Sequence, residues 1–394
     1  MTILLTDISR WIFLLLSLAG LADPVFAQKS SLLVAIGSRQ NESTTEFVEQ
    51  RFRTFLIETD GQRTRLVATL PDIVVPHGNG FWRAGVITSC SVSTAPEATP
   101  GKGQEESAED NSSWDEAFYF SPVDENSKIP PLGEVEPCDH RSRGEVRDAA
   151  SRISLYMPGA PCSFHMESIA FVSSQLVAVN YYEGQSEACE PRGFHWNSES
   201  KVLRFGVTDA ISFKELTGDK GWEAYNAAVR KASVDLQKEG FNCGIFSEED
   251  EVLEDTHWTL HRKEGRWAAV LAWHDSAACE YFADINLMLP KSLTDYDTLR
   301  LPWSSLAKQV KNLQDAFTSP SGNLLLARTN EGTAVYSLGE GHAGPKLLDL
   351  PAGKIVMVQW ALGKYADSWA KKLAEWQRNG LPHYTPQSAL SPRR

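Results

Sequence analysis

Two histidines, His257 and His261, flank Trp258-Thr259-Leu260. On a strand, positions four apart share a face, so both imidazoles could reach one metal ion, with Glu254 and Asp255 adding oxygen ligands. A protein metal site needs a further, distant ligand. The sequence marks none, so the expectation is a strand edge beside an acidic turn, with no metal. Glu248, Glu249, Asp250 and Glu251 extend that turn into an acidic run. Hard oxygen ligands suit calcium, but the EF-hand spacing and its central glycine are missing, and the run reads as a solvated loop. His274-Asp275 would supply part of a catalytic triad, yet no Gly-x-Ser-x-Gly elbow provides the nucleophile. The glycine-rich stretch Gly339 to Gly344, with His342, lacks the Gly-Lys-[Ser/Thr] of a phosphate cradle and reads as a loop. There is no catalytic motif, and no cofactor is expected.

Aromatic residues offer a different chemistry. The chain holds twelve tryptophans, and sugar rings stack on exposed aromatic faces because their C–H faces are apolar. Trp258, Trp267 and Trp273 alternate within one hairpin, and Trp369 and Trp376 share a helical face, patterns that fit a core. Trp82, in Gly80-Phe81-Trp82-Arg83, and Trp196 have no such pattern and stand as the candidate ligand-binding residues, for glycan stacking.

The compartment is read from the first residues and the cysteines. Arg10 precedes an apolar run from Trp11 to Ala22, too short for the roughly 20 residues a membrane helix needs. Asp23-Pro24 breaks the run, and Val25-Phe26-Ala27 follows, with small or aliphatic residues where a signal peptidase reads. The expectation is a signal peptide over 1–27, a mature chain starting at Gln28, and a secreted, periplasmic or extracellular protein without a membrane span. Cys90, Cys138, Cys162, Cys189, Cys243 and Cys279 all lie beyond that point, and none forms a CxxC pair. Export favours disulfides. The connectivity is open; pairing neighbours in sequence gives Cys90–Cys138, Cys162–Cys189 and Cys243–Cys279. The formal charge of −13 sets aside nucleic acid and anionic membrane surfaces as partners.

The elements that must position these residues are mostly strands. Phe55-Leu56-Ile57, Arg65 to Leu70, Ile73-Val74-Val75 and Gly80 to Ile87 read as an N-terminal series, with turns at Asp60-Gly61 and His77-Gly78-Asn79-Gly80. Ser168–Val172 with Leu176–Tyr182, Phe194–Asn197 with Lys201–Phe205, and Trp258–Arg262 with Arg266–His274 read as three hairpins. Between Gly221 and Gly240 the period becomes helical, with Trp222, Tyr225, Val229 and Leu236 on one face. Pro302 opens another helix carrying Trp303, Leu306, Val310 and Leu313. Leu324–Ala327, Thr333–Ser337, Lys346–Leu350 and Lys354–Trp360 are further strands, and a helix from about Asp367 closes the chain.

The fold class expected is therefore mainly β with a few helices (α+β), in antiparallel hairpins and meanders, propeller-like where the chain ends meet. The units expected are the signal peptide 1–27, an N-terminal β segment 28–90, an acidic, largely disordered insertion 91–150, and a hairpin-and-helix body 151–316. A C-terminal meander with its closing helix, 317–380, and a disordered tail, 381–394, complete the chain. Neither β end has enough strands to cover a sheet alone, so the two are expected to pack together.

Two stretches resemble known families. Ser319-Pro320-Ser321-Gly322-Asn323 before an apolar strand is similar to the turn of a β-propeller blade, a likeness covering 319–360. The order hairpin, hairpin, helix, hairpin, then Leu289-Pro290 before a helix, over 168–311, resembles the extracytoplasmic domain of RsiV-type anti-sigma factors. That likeness implies a binding or sensing module. The chain departs from it at Glu190-Pro191-Arg192-Gly193, where the family has a Gly-Gly-Ala-His-like run, so no site residue carries over. The function expected is a non-catalytic binding, sensing or scaffold module of the cell envelope or secretome, with an envelope glycan or a protein as partner. The alternative is an exported hydrolase or glycan-binding protein whose site is assembled from residues far apart in sequence.

Overall fold

Leu32-Leu33-Val34-Ala35-Ile36 and Ile355-Val356-Met357-Val358 are apolar at every position rather than at alternate ones, the pattern of strands covered on both faces. The computed structural model describes residues 32–41, 50–59, 63–78, 80–93, 111–123, 163–185, 195–205, 209–238, 256–274, 280–339 and 341–379. It pairs these two runs directly. β1 (Leu32–Asn41) is followed by β2 (Gln50–Thr59) and β3 (Thr64–Pro71), and the last strand of the chain, β17 (Lys354–Leu362), returns to form a sheet in the order β17-β1-β2-β3.

Three more sheets follow in chain order. The second has six strands, β4 (Ile73–His77), β5 (Gly80–Ser93), β6 (Asn111–Pro122), β7 (Ser163–Val172), β8 (Leu176–Gln185) and β9 (His195–Arg204). The third is β10 (Trp258–Lys263), β11 (Arg266–His274) and β12 (Glu280–Asp284). The fourth is the meander β13 (Leu313–Thr318), β14 (Leu324–Thr329), β15 (Gly332–Gly339) and β16 (His342–Leu350). Strand pairings are antiparallel except β6 with β7, which run parallel. The helices among the described residues are α1 (Phe213–Lys238), α2 (Lys291–Thr294), α3 (Trp303–Gln309) and α4 (Lys364–Asn379). The chain is thus mainly β with a few helices.

The first sheet packs on the second and on the fourth, and the second packs on the third. Leu33, Leu56 and Met357 of the first sheet meet Ile73, Val75 and Val179 of the second. Phe171 and Ala178 of the second meet Trp258, Trp267 and Leu271 of the third, with Phe213 and Tyr225 of α1 filling the seam. Val34, Ile36 and Phe55 meet Phe317, Leu326 and Val335 of the fourth. Successive residues of β1 therefore serve opposite cores, as a period of two requires. The third and fourth sheets are tied through Arg262. The expected meeting of the chain ends is present. β17 pairs with β1, the Thr69 N–H donates to Gln377 Oε1 at 3.0 Å, and the Phe81 ring lies 5.2 Å from that of Trp376.

At the β1–β17 seam the register shifts after Gly37. A Cβ there would lie 2.8 Å from Met357 Cβ and 2.9 Å from Ile73 Cδ1. Gly37→Ala is expected to cost about 1–3 kcal/mol by overpacking. Urea unfolding measures it, and an unchanged midpoint would mean that the seam yields without strain.

Several local expectations hold. Glu264 and Gly265 carry φ of 49° and 75°, the two positive values of a tight hairpin turn. The Ser319 hydroxyl accepts the N–H groups of Asn323 and Leu324, which fixes the turn before β14.

Others are corrected. Phe194–Asn197 and Lys201–Phe205 do not form a hairpin. His195–Arg204 is one strand whose ladder with β8 runs unbroken through Ser198-Glu199-Ser200. The polar trio needs no turn, because Ser200 is buried with its hydroxyl donating to Asn180 Oδ1 at 3.0 Å. The stretch 91–150 does not separate an N-terminal segment from a body. β5 extends to Ser93, Asn111–Pro122 is β6, and one sheet joins β4 to β9. Phe118 and Phe120 pack on one face of β6 and Tyr119 is buried on the other, which the acidic neighbours conceal in a composition average. Leu313 begins β13 rather than ending the helix opened by Pro302. The expected signal peptide, the tail 381–394, Glu254, Asp255, the acidic run 248–251 and the side chains of all six cysteines lie outside the described residues.

Candidate functional site

The alternation of β10 sends its residues to two places. Trp258, Leu260 and Arg262 face inward; Thr259, His261 and Lys263 share the other side. The Trp258 ring is fully buried and its Nε1–H donates to the Ile211 carbonyl at 2.9 Å. Arg262 follows the same direction but carries a charge into the seam of the third and fourth sheets. Its side chain is 6 % exposed and lies between the rings of Phe317 (3.7 Å to the centroid) and Trp267 (5.0 Å). Its guanidinium donates to both oxygens of Asp315 at 3.0 Å, to Asp297 Oδ1 at 2.5 Å and to the Ala316 carbonyl at 2.8 Å. Burial nevertheless holds the Asp297 carboxyl above its ordinary value, against the pull of Arg262.

On the other side, His261 Nε2 lies 3.2 Å from Asp284 Oδ1, in ion-pair range but off the direction of a good hydrogen bond. Asp284 Oδ2 accepts from Lys263, and this bond holds the carboxyl below its usual range. Burial depresses the His261 imidazole; Lys263 and Lys354 act in the same direction and Asp284 opposes them.

Lys354 is the unusual member. It opens β17, and its register partner across the ladder is Arg39 of β1, a like charge directly opposite. Arg328 of β14, itself opposite Asp315, adds a third positive charge within electrostatic reach. Burial, then Arg39 and Arg328, push the Lys354 ammonium down to about 8, although Asp315 pulls it up. Among the described residues Lys354 makes no ion pair or hydrogen bond. The other end of β17 is balanced. Gln359 donates to Asp295 Oδ2 at 2.5 Å, and Asp295 also accepts the Ser174 N–H at 2.9 Å and hydroxyl at 2.6 Å.

Asn180, Lys231, His261, Phe282, Asp284 and Lys354 line a half-open cleft of about 420 Å³ where the second and third sheets, α1 and β17 meet. Lys354 on its β17 side feels two further cations, Arg39 and Arg328, against Asp315, while Asp284 on the opposite wall is engaged by Lys263. In an acidic chain this is a local positive well, suited to hold an anion.

The residues singled out in the sequence distribute differently. His261 lines the cleft, paired with a carboxylate. His257 precedes β10, and among the described residues no three His, Cys, Asp or Glu side chains converge on a metal position. Trp82 lies outside the cleft. It stacks on Phe120 at 4.8 Å, with Phe205 at 5.2 Å and His77 at 5.6 Å. Trp196 lies in β9 opposite Gly184, its side chain outside the described residues. Lys354, Arg39 and Asp284 carry no local signal: a lysine at a strand start reads as solvated, and only the β1–β17 register sets it against an arginine. Compared with protein-family models, curated proteins and solved structures, the chain matches none.

Proposed function

We propose that the protein is an exported, non-catalytic binding module whose cleft takes a small anionic ligand bearing a carboxylate or phosphate group. The observation that carries this reading is Lys354. It is a partly buried amine facing a cleft, set opposite Arg39 and without an acidic partner among the described residues. A bound anion would accept from the amine and relieve the repulsion between the two cations. Export rests on the run Trp11 to Ala22 and the small-residue site ending at Ala27. The hydrolase alternative has the His261–Asp284 pair in its favour, but Asp284 is shared with Lys263.

The reading makes Lys354 a residue that the fold alone would be more stable without. Its folded value of about 8 lies below the ordinary 10.5, so between these pH values the unfolded chain holds a proton that the folded chain does not. Wild-type stability therefore rises with pH across that window, and charging Lys354 costs up to about 3 kcal/mol at pH 7. Lys354→Met is expected to be more stable than wild type at pH 7 and to lose that advantage above the window, as urea unfolding at a series of pH values would show. Calorimetric titration with inorganic phosphate at constant ionic strength should give heat with wild type and none with the variant. A variant less stable at pH 7, together with equal phosphate binding by both proteins, would sink the reading.

A further inference from the structure

We infer that Lys354 is a reactive amine which forms a reversible imine with a small 2-oxo acid held in the cleft. The inference rests on the anion-binding reading and extends it from charge to covalent chemistry. Three features favour it. The amine is not tied to a carboxylate among the described residues, whereas Lys263, beside the same cleft, is bonded to Asp284. Its neighbours Arg39 and Arg328 are guanidiniums that lend positive potential to the amine and cannot act as nucleophiles, while a lysine amine can. A 2-oxo acid places a carbonyl carbon beside a carboxylate, so an anion drawn to the cations would bring its electrophile to the amine. His261 lines the same cleft and is held toward its neutral form by burial, so it can exchange a proton there.

The chemistry closes without an oxidant or reductant. The neutral amine adds to the carbonyl carbon, a C–N bond forms, and the carbonyl π electrons move to oxygen, which takes a proton. The nitrogen lone pair then expels that oxygen as water, leaving a protonated C=N bond to Lys354. An ordinary lysine is almost wholly protonated at neutral pH. With ionisation near 8, roughly one amine in ten is neutral at pH 7. A cationic neighbour is one of the ways a lysine is activated for imine formation. Lys231 lines the same cleft but is exposed on α1.

The test is reductive trapping. The full chain is incubated with pyruvate and sodium borohydride, which converts the C=N bond to a stable secondary amine, and the modified lysine is located by peptide mass mapping. The expected result is saturable modification of Lys354 ahead of the exposed lysines, lost in Lys354→Arg and reduced by competing inorganic phosphate. Modification spread over the lysines according to exposure, or absent from Lys354, overturns the inference. Should Lys354→Arg fail to fold, competitive acetylation of the wild-type protein across pH decides: Lys354 should label half-maximally near pH 8, and labelling like an exposed lysine overturns the inference. Phosphate binding without trapping removes the imine and leaves the anion-binding reading. Trapping at Lys354 that phosphate does not reduce leaves the imine and removes the anion-binding reading.

Discussion

Arg262→Ala is expected to destabilise the protein by about 3–5 kcal/mol, because it strands two carboxylates in the seam that the guanidinium now fills. Asp297 and Asp315 both bond to Arg262, and their side chains are 7 % and 5 % exposed. Without the cation both carboxylates lose their charged partner, and the rings of Phe317 and Trp267 lose the group packed against them. The deficit should depend on pH. Burial already raises the Asp297 carboxyl in the wild type, so its folded form binds a proton more readily than the unfolded chain and favours folding least once both are ionised. Removing Arg262, which holds that value down, widens the difference. The loss should be full at neutral pH and shrink as the stranded carboxylates protonate. Arg262→Met combined with Asp297→Asn and Asp315→Asn removes the charges together and should recover much of the loss. Urea unfolding at several pH values measures all three effects. A deficit independent of pH, and unrelieved in the triple variant, would show that Arg262 acts by packing alone.

Trp376→Ala is expected to cost about 3–5 kcal/mol and to loosen the whole molecule rather than only the last helix. Trp376 is 5 % exposed and Leu373 fully buried on the inner face of α4. That face bridges two sheets. It covers Val356, Met357 and Ala361 of β17 and meets Phe81 of β5 edge-on, at 5.2 Å from Trp376 and 6.0 Å from Trp369. Gln377 also satisfies the Thr69 N–H on β3, the edge strand of the first sheet. The helix therefore holds closed the junction between the first and last strands. Hydrogen exchange should quicken in β1, β3 and β17 of the variant, and its unfolding should remain a single transition at lower urea. Faster exchange confined to 364–379 would show that α4 only rests on the sheet.

Much of the fold was legible because it depends on local repetition. Trp258 to His274 alternates with a period of two about a Glu-Gly turn, and Trp369, Leu373 and Trp376 repeat with helical spacing, so each strand, turn and face follows from neighbours in the chain. Where local composition misleads, so did the reading. Ser198-Glu199-Ser200 looks like a turn because all three residues are polar, yet it lies within a strand whose buried serine is satisfied by Asn180 of the adjacent strand. The acidic insertion hid β6 for the same reason, since its partner β5 lies beyond an unpatterned stretch.

The candidate site was almost wholly illegible. His261 stood out only for its spacing from His257, whereas its structural partner is Asp284, across β11. Arg39 and Lys354 lie at opposite ends of the chain, and each alone is an ordinary surface cation. The sequence by itself determined many of the strands, the main helices and the packing of the two chain ends, because hydrophobic period and turn chemistry act over a few residues. Only the tertiary structure decided that Arg39 faces Lys354, that Arg262 is buried between two carboxylates and that a cleft opens beside them. Charge interactions depend on distance through space and on the water removed around them, and neither is written in the order of residues.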